Sequence, residues 1–148
     1  MGNQTTANQF ERATGADEIS TLGPAIYGYS RAQAIADGVL VDVTTMSRQA
    51  GFTVPVALTS AAWSDCVEWT DEDSSRQGHQ DEAGRLWDTL WIAHLAARRA
   101  HGEVVAFELY RVPRGGRGHM PRRVSLHMHI GPGDEAEPVI TIMLPGED

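Results

Sequence analysis

Three runs of alternating side chains fill the last third of the chain, and they restrict the fold more than any other feature. In Val104–Val112, the apolar Val105, Phe107 and Leu109 alternate with Ala106, Glu108 and Tyr110. In Arg123–Ile130, Val124, Leu126, Met128 and Ile130 alternate with Arg123, Ser125, His127 and His129, and in Val139–Leu144 the residues Ile140, Ile142 and Leu144 share one side. A period of two places one set on each face of a strand, so each run predicts a strand with one apolar face. The connections Pro113–Pro121 and Gly131–Pro138 carry glycine and proline, which suits hairpin turns. A three-stranded antiparallel meander follows, and its apolar face must be covered.

The cover is legible upstream. Asp81–His101 has acids in its first turn, Arg98 and Arg99 near its end and Gly102 beyond it, the signature of a helix. Leu86, Trp87, Leu90, Trp91, His94 and Leu95 fall on one side of it and are expected to pack on the sheet. Before it, Thr59 or Ser60 caps a helix through Ala62, Trp63, Cys66 and Trp69, and the polar run Thr70–Gln80 reads as a solvated loop or frayed helix. The sequence therefore predicts the α+β class, a three-stranded antiparallel C-terminal sheet covered on one face by helices. Trp63, Trp69, Trp87 and Trp91 are assigned to the core, with the reservation that an exposed tryptophan is a natural interface anchor.

Further upstream the signals are shorter. Ser30 caps a helix ending at Asp37-Gly38, Val39–Val43 is a β-branched run that suits a sheet, and Thr44 or Thr45 caps a helix that stops at Gly51. Pro55 makes Phe52–Leu58 an extended connection or edge strand. Residues 1–23 hold only Phe10, Ile19 and Leu22 as sizeable apolar groups, too few to offset the entropy of ordering. The expected organisation is a flexible tail, 1–23, and one α+β domain, 24–148. The opening Met1-Gly2-Asn3-Gln4-Thr5-Thr6 matches the loose lipidation pattern, but no polybasic patch follows to make an anchor.

Charge narrows the partners. With 20 acidic residues against 12 arginines and no lysine, the 148-residue chain carries −8. Such a chain is repelled at long range by nucleic acid and anionic membranes, and is steered towards basic surfaces. The absence of an apolar run of about 20 residues or of a charged-then-apolar leader makes cytoplasmic the expected location. One cysteine, Cys66, excludes an internal disulfide and a four-thiolate zinc site.

The charge is also segregated. Asp65, Glu68, Asp71, Glu72, Asp73, Asp81, Glu82 and Asp88 face only Arg76 and Arg85 in their stretch, while Arg111, Arg114, Arg117, Arg122 and Arg123 gather around the loop Arg114-Gly115-Gly116-Arg117-Gly118. The acidic stretch is either a solvated face or a surface that imitates a phosphate array to a nucleic-acid-binding protein. The arginine loop is either a solubilising hairpin tip or a grip for phosphate, and it lacks aromatic platforms for bases.

Chemistry is thinly signalled. His127-x-His129 puts two imidazoles on one strand face, where Glu108 of the neighbouring strand or a distant His79 could complete a metal or acid–base site, although plain alternation also explains the pair. His94 reads as a core histidine and His101 as a complement to the helix dipole. Cys66 has Asp65, Glu68 and Asp71 around it, a negative setting that works against a reactive thiolate. No catalytic residue, metal or cofactor is assigned.

Four segments carry a resemblance: Ile26-Tyr27-Gly28-Tyr29-Ser30-Arg31 through Val43; Ala62-Trp63-Ser64-Asp65-Cys66-Val67-Glu68-Trp69; Gly84-Arg85-Leu86-Trp87-Asp88; and Ile130-Gly131-Pro132-Gly133-Asp134 through Ile142-Met143-Leu144-Pro145-Gly146-Glu147-Asp148. They resemble a family of small uncharacterised accessory proteins of proteobacterial plasmids, integrative elements and phages. The resemblance implies a mobile-element setting and an anti-defence inhibitor of the anti-CRISPR or anti-restriction type, binding a host complex without catalysis. The acidic stretch would then meet a basic surface of a host protein or nucleoprotein complex. Two alternatives stay open: a histidine- or metal-dependent enzyme using His127 and His129 with Glu108, and a nucleic-acid-binding regulator using the arginine loop.

Overall fold

The computed structural model describes residues 29–147, so the predicted tail lies outside the described residues. The chain divides into two units, Met1–Asp37 and Gly38–Asp148. The described part of the first holds α1 (Arg31–Ala36), whose Ser30 cap accepts a hydrogen bond from the Gln33 amide at 2.9 Å. At its other end the Asp37 carboxylate accepts from the Tyr29 hydroxyl and from the Gln33 side chain, each at 3.1 Å.

In the second unit the elements run β1 (Leu40–Asp42), α2 (Thr44–Ala50), β2 (Val56–Thr59), α3 (Ser60–Cys66), α4 (Asp71–Gln77), α5 (Glu82–Arg99), β3 (Val104–Arg111), β4 (Arg122–Pro132) and β5 (Pro138–Met143). The α+β class holds, and β3, β4 and β5 pair antiparallel as the alternation predicts. The sheet is larger than expected, however. It has five strands in the order β1-β2-β5-β4-β3 and is mixed, because β2 runs parallel to β5.

The physical reason lies in β2. Val56, Ala57 and Leu58 are all fully buried, a continuous apolar run of the kind that strands covered on both faces require. Pro55 stands just before the paired residues, so its missing N–H costs the ladder nothing, and its carbonyl accepts from the Ile140 amide at 2.9 Å. Phe52–Leu58 thus ends in an interior strand and not at an edge. The register aligns Val41, Leu58, Ile142, Met128 and Val105 in one row across the sheet. Four of these are buried and Val41 packs against them. Ala50, Phe52, Ala62, Cys66, Leu86, Leu90 and Ala93, from α2, α3, α5 and the residue pair after α2, complete the same core.

Helix ends follow local chemistry. Gly51 ends α2 with φ 117°, and a Cβ there would lie 2.7 Å from the His94 ring, so both backbone and packing demand glycine. Thr59 caps α3, its hydroxyl accepting from the Ala62 amide at 3.1 Å. The stretch from Thr70 forms a capped helix, α4, which decides between the solvated loop and the frayed helix that the sequence leaves open. The Thr70 hydroxyl accepts from the Asp73 amide at 3.1 Å and the Asp73 carboxylate accepts from the Thr70 amide at 2.8 Å, a reciprocal capping box. No helix among the described residues is long and apolar enough to cross a membrane.

Candidate protein-binding face

The two charge clusters of the sequence meet in space. Arg111 Nε stands 2.6 Å from Asp65 Oδ1, while Arg114 reaches Asp73 at 2.9 Å and Glu68 at 3.2 Å. Gln77, buried at the end of α4, ties down the rest of the hairpin loop. Its amide donates to the carbonyls of Pro113 and Gly118 at 2.8 Å each and accepts from the Gly115 amide at 3.1 Å. The arginine loop is therefore clasped to α3 and α4. Arg114 and the Thr70 amide hold the Asp73 carboxyl below the ordinary aspartate range, the Thr70 hydrogen bond contributing most.

Beneath this clasp lies Arg85. It is 6% exposed, and its guanidinium donates to the carbonyls of Val67 and Val112 at 3.1 Å each and to Gln80 Oε1 at 3.2 Å. It also stacks over Trp69, with Cζ 4.7 Å from the ring centroid. Burial disfavours its charged form and lowers its pKa. A basic residue inside the acidic stretch thus joins α5 to the ends of α3 and β3. Sequence reasoning missed it because a single arginine on a helix reads as surface.

The remaining predicted acids divide. Glu72 pairs with Arg76 at 2.8 Å on the surface of α4, Glu82 accepts from the Trp69 amide at 2.9 Å, and Asp81 caps α5 by accepting from the Ala83 amide at 3.3 Å. Asp71 and Asp88 are exposed. Among the predicted bases, Arg117, Arg122 and Arg123 are exposed, with Arg123 3.7 Å from Glu108.

The histidine pair sits on β4 with ring centroids 6.4 Å apart, both rings half-buried. Residues opposite them on β3 are Ala106 and Val104, while Glu108 stands opposite Ser125. Among the described residues, no three of His, Cys, Asp and Glu come together in a group that could hold a metal ion. Cys66 is fully buried, and burial, reinforced by Asp65, pushes its thiol up to about 12.

The expected core assignment fails for two tryptophans. Leu86, Thr89, Leu90 and Ala93 face inward along α5, which leaves Trp87 and Trp91 36% and 41% exposed. Their rings stack on one another, with centroids 6.0 Å apart and planes 8° from parallel. Trp91 also flanks His94, which packs edge-on against Phe52. The spacing Leu86, Leu90, Ala93 is the signal that could have located the core stripe. Apolar residues surround more of this helix than a sheet can cover, and the tryptophans lie one position past each leucine.

A groove of about 310 Å³ runs beside this pair, between α5 and β3. Asp88, Trp91 and Ile92 line it from the helix, and Glu108, Leu109 and Tyr110 from the strand. Tyr110 is 66% exposed. Because β3 ends the strand order, one of its sides has no neighbouring strand among the described residues. The Ile130 amide donates to the Glu103 carbonyl, which fixes the alternation of the ladder. Val105, Phe107 and Leu109 bond to β4, and the amides and carbonyls of Val104, Ala106, Glu108 and Tyr110 point outward. No backbone–backbone hydrogen bond among the described residues reaches that outer row. Large aromatic surface, open backbone and acidic side chains therefore lie side by side, an arrangement suited to holding another polypeptide.

No curated protein and no solved structure matches the chain. A family model does, over residues 18–148, and it is described as a family of unknown function, DUF6573. The matched span takes in every element described above, and the chain belongs to that family.

Proposed function

We propose that this protein works by binding another protein, with the Trp87–Trp91 face of α5 and the adjoining edge of β3 as its contact surface. The observation that carries the reading is the stacked, solvent-facing tryptophan pair beside an acidic groove. Tryptophan is the residue type most concentrated among energetic anchors of interfaces, and a pair stacked in advance loses little side-chain entropy on binding. The exposed acids Asp71, Asp88 and Glu108 favour a basic partner. The resemblance to accessory proteins of proteobacterial plasmids, integrative elements and phages supplies the setting: an anti-defence inhibitor, of anti-CRISPR or anti-restriction type, that engages a basic nucleic-acid-handling complex in the cytoplasm. In this reading Asp65, Glu68 and Asp73 serve the fold, and the partner meets the remaining acids.

The test is phage or plasmid establishment in bacteria carrying a defined CRISPR or restriction system, with and without this protein. The wild-type chain is expected to raise establishment. A Trp87→Ser/Trp91→Ser variant should lose that effect while keeping its circular-dichroism spectrum and melting temperature. Full protection by the folded variant would sink this contact surface. Failure of the wild-type chain across a panel of such systems would sink the anti-defence role.

A further inference from the structure

The partner can be specified further from the chemistry of the β3 edge. We propose that this edge receives an extended peptide rich in arginine or lysine, which adds to the sheet as a sixth strand; the inference rests on the protein-binding reading above.

The backbone requirement comes first. The outward amides and carbonyls of Val104, Ala106, Glu108 and Tyr110 form the alternating donor–acceptor row that a new strand needs, with no chain hydrogen-bonded to it among the described residues. Among the described residues no element covers the edge, and β3 has no proline, no lysine and no break in its pairing from Val104 to Arg111.

The side chains then set the chemistry of the occupant. Side chains of an added strand alternate between the two faces of the sheet. On the face covered by α5, such a side chain meets the groove wall formed by Asp88, Trp91 and Ile92. On the opposite face it meets Glu108 and Tyr110, which alternate outward from the buried Phe107 and Leu109. Each face thus offers one carboxylate and one aromatic ring, the pair of groups that together hold a guanidinium or ammonium by charge and by its attraction to the ring. Glu108 is shared with Arg123, but that contact is 3.7 Å long between side chains 53% and 62% exposed, and an incoming cation displaces it at small cost. A groove of about 310 Å³ stands at the small end of ligand sites, which hold about 300–1,000 Å³, and suits one long side chain better than a cofactor.

The experiment selects a display library of random dodecapeptides on the immobilised full chain, then measures the enriched sequences as synthetic peptides by tryptophan fluorescence. Enrichment of arginine and lysine at both odd and even positions of a β-branched background, so that each face of the added strand carries a cation, is the expected result. Replacing those arginines by citrulline, which keeps the shape and removes the charge, should weaken binding at least about tenfold. The Asp88→Asn/Glu108→Gln variant should weaken the arginine peptide to a similar degree, and N-methylation of alternate peptide amides should abolish binding. Acidic or helix-forming winners, no enrichment at all, or indifference to N-methylation would each overturn the inference. So would a concentration-dependent dimer that excludes the peptides, since the occupant would then be a second copy of the chain. If basic strands bind as expected while the Trp87→Ser/Trp91→Ser variant still protects in cells, the tryptophan face is lost as the contact surface and the β3 edge remains as the protein-binding site. If that variant loses protection and no basic strand is selected, only the present inference fails.

Discussion

Asp65, Glu68 and Asp73 are each held by an arginine from elsewhere in the chain, whereas along the outer side of α5 the largest side chains face solvent. The first region gathers Asp65, Glu68, Asp73, Arg111 and Arg114 into ion pairs and lashes the hairpin loop with Gln77. The second leaves Trp87, Trp91 and Tyr110 beside an open strand edge. Charge density along a sequence advertises a binding site, yet here much of it is consumed inside the fold. Carboxylates that already have an arginine offer a partner little, because a new contact must first break the old one. Exposed aromatic area has no such prior commitment.

That contrast makes separable demands on variants. The largest effect is expected at Arg85→Ala, which leaves the buried carbonyls of Val67 and Val112 without their donor and opens a hole under Trp69. A loss of about 3 kcal/mol or more in urea unfolding should follow. Next, Trp87→Ser/Trp91→Ser should reduce partner affinity by about 100-fold, roughly 2.7 kcal/mol, while unfolding free energy shifts by less than about 1 kcal/mol. A stability loss as large as that of Arg85→Ala would place the tryptophans in the core after all and dissolve the contrast.

Gln77→Ala should cost about 2 kcal/mol and expose the Gly115–Gly118 loop to protease, without changing partner affinity. Asp73→Asn is expected to cost about 1 kcal/mol at neutral pH through the weakened cap and ion pair. Its pH dependence has a definite sign. The folded carboxyl sits below its unfolded value, so its contribution is complete above the ordinary aspartate pKa of about 4 and disappears as pH falls through the depressed value. Wild-type and Asp73→Asn unfolding curves should therefore converge in acid; a gap that persisted there would show that Asp73 acts by packing alone. Smallest of all, iodoacetamide at pH 8 should leave Cys66 unmodified until urea is added, since its buried thiol is pushed up to about 12.

The strands β3 to β5 were legible because each buries one face, and burial on one face writes a period of two into the sequence. β2 was not, because burial on both faces erases that period. The capping box Thr70-x-x-Asp73 was present to be read, but the polar run behind it masked the helix. The clasp was illegible for a different reason: Asp65 and Arg111 stand 46 residues apart, and only the folded sheet brings them together. The Trp87–Trp91 face falls between these cases. The sequence shows a helix with more apolar surface than one stripe, but which part stays uncovered depends on where α2 and β3 pack.

The strand order also governs when this protein can fold during synthesis. β5 is the last strand in chain order, yet it lies between β2 and β4. Until it leaves the ribosome, β1–β2 and β3–β4 are two separate ribbons, and isolated two-stranded ribbons are at best marginally stable in water. β2 in particular waits with its apolar residues uncovered while β3 and β4 are made. A premature stop before Pro138 would therefore yield not a smaller version of this protein but two unjoined halves of a sheet, each exposed to aggregation and proteolysis.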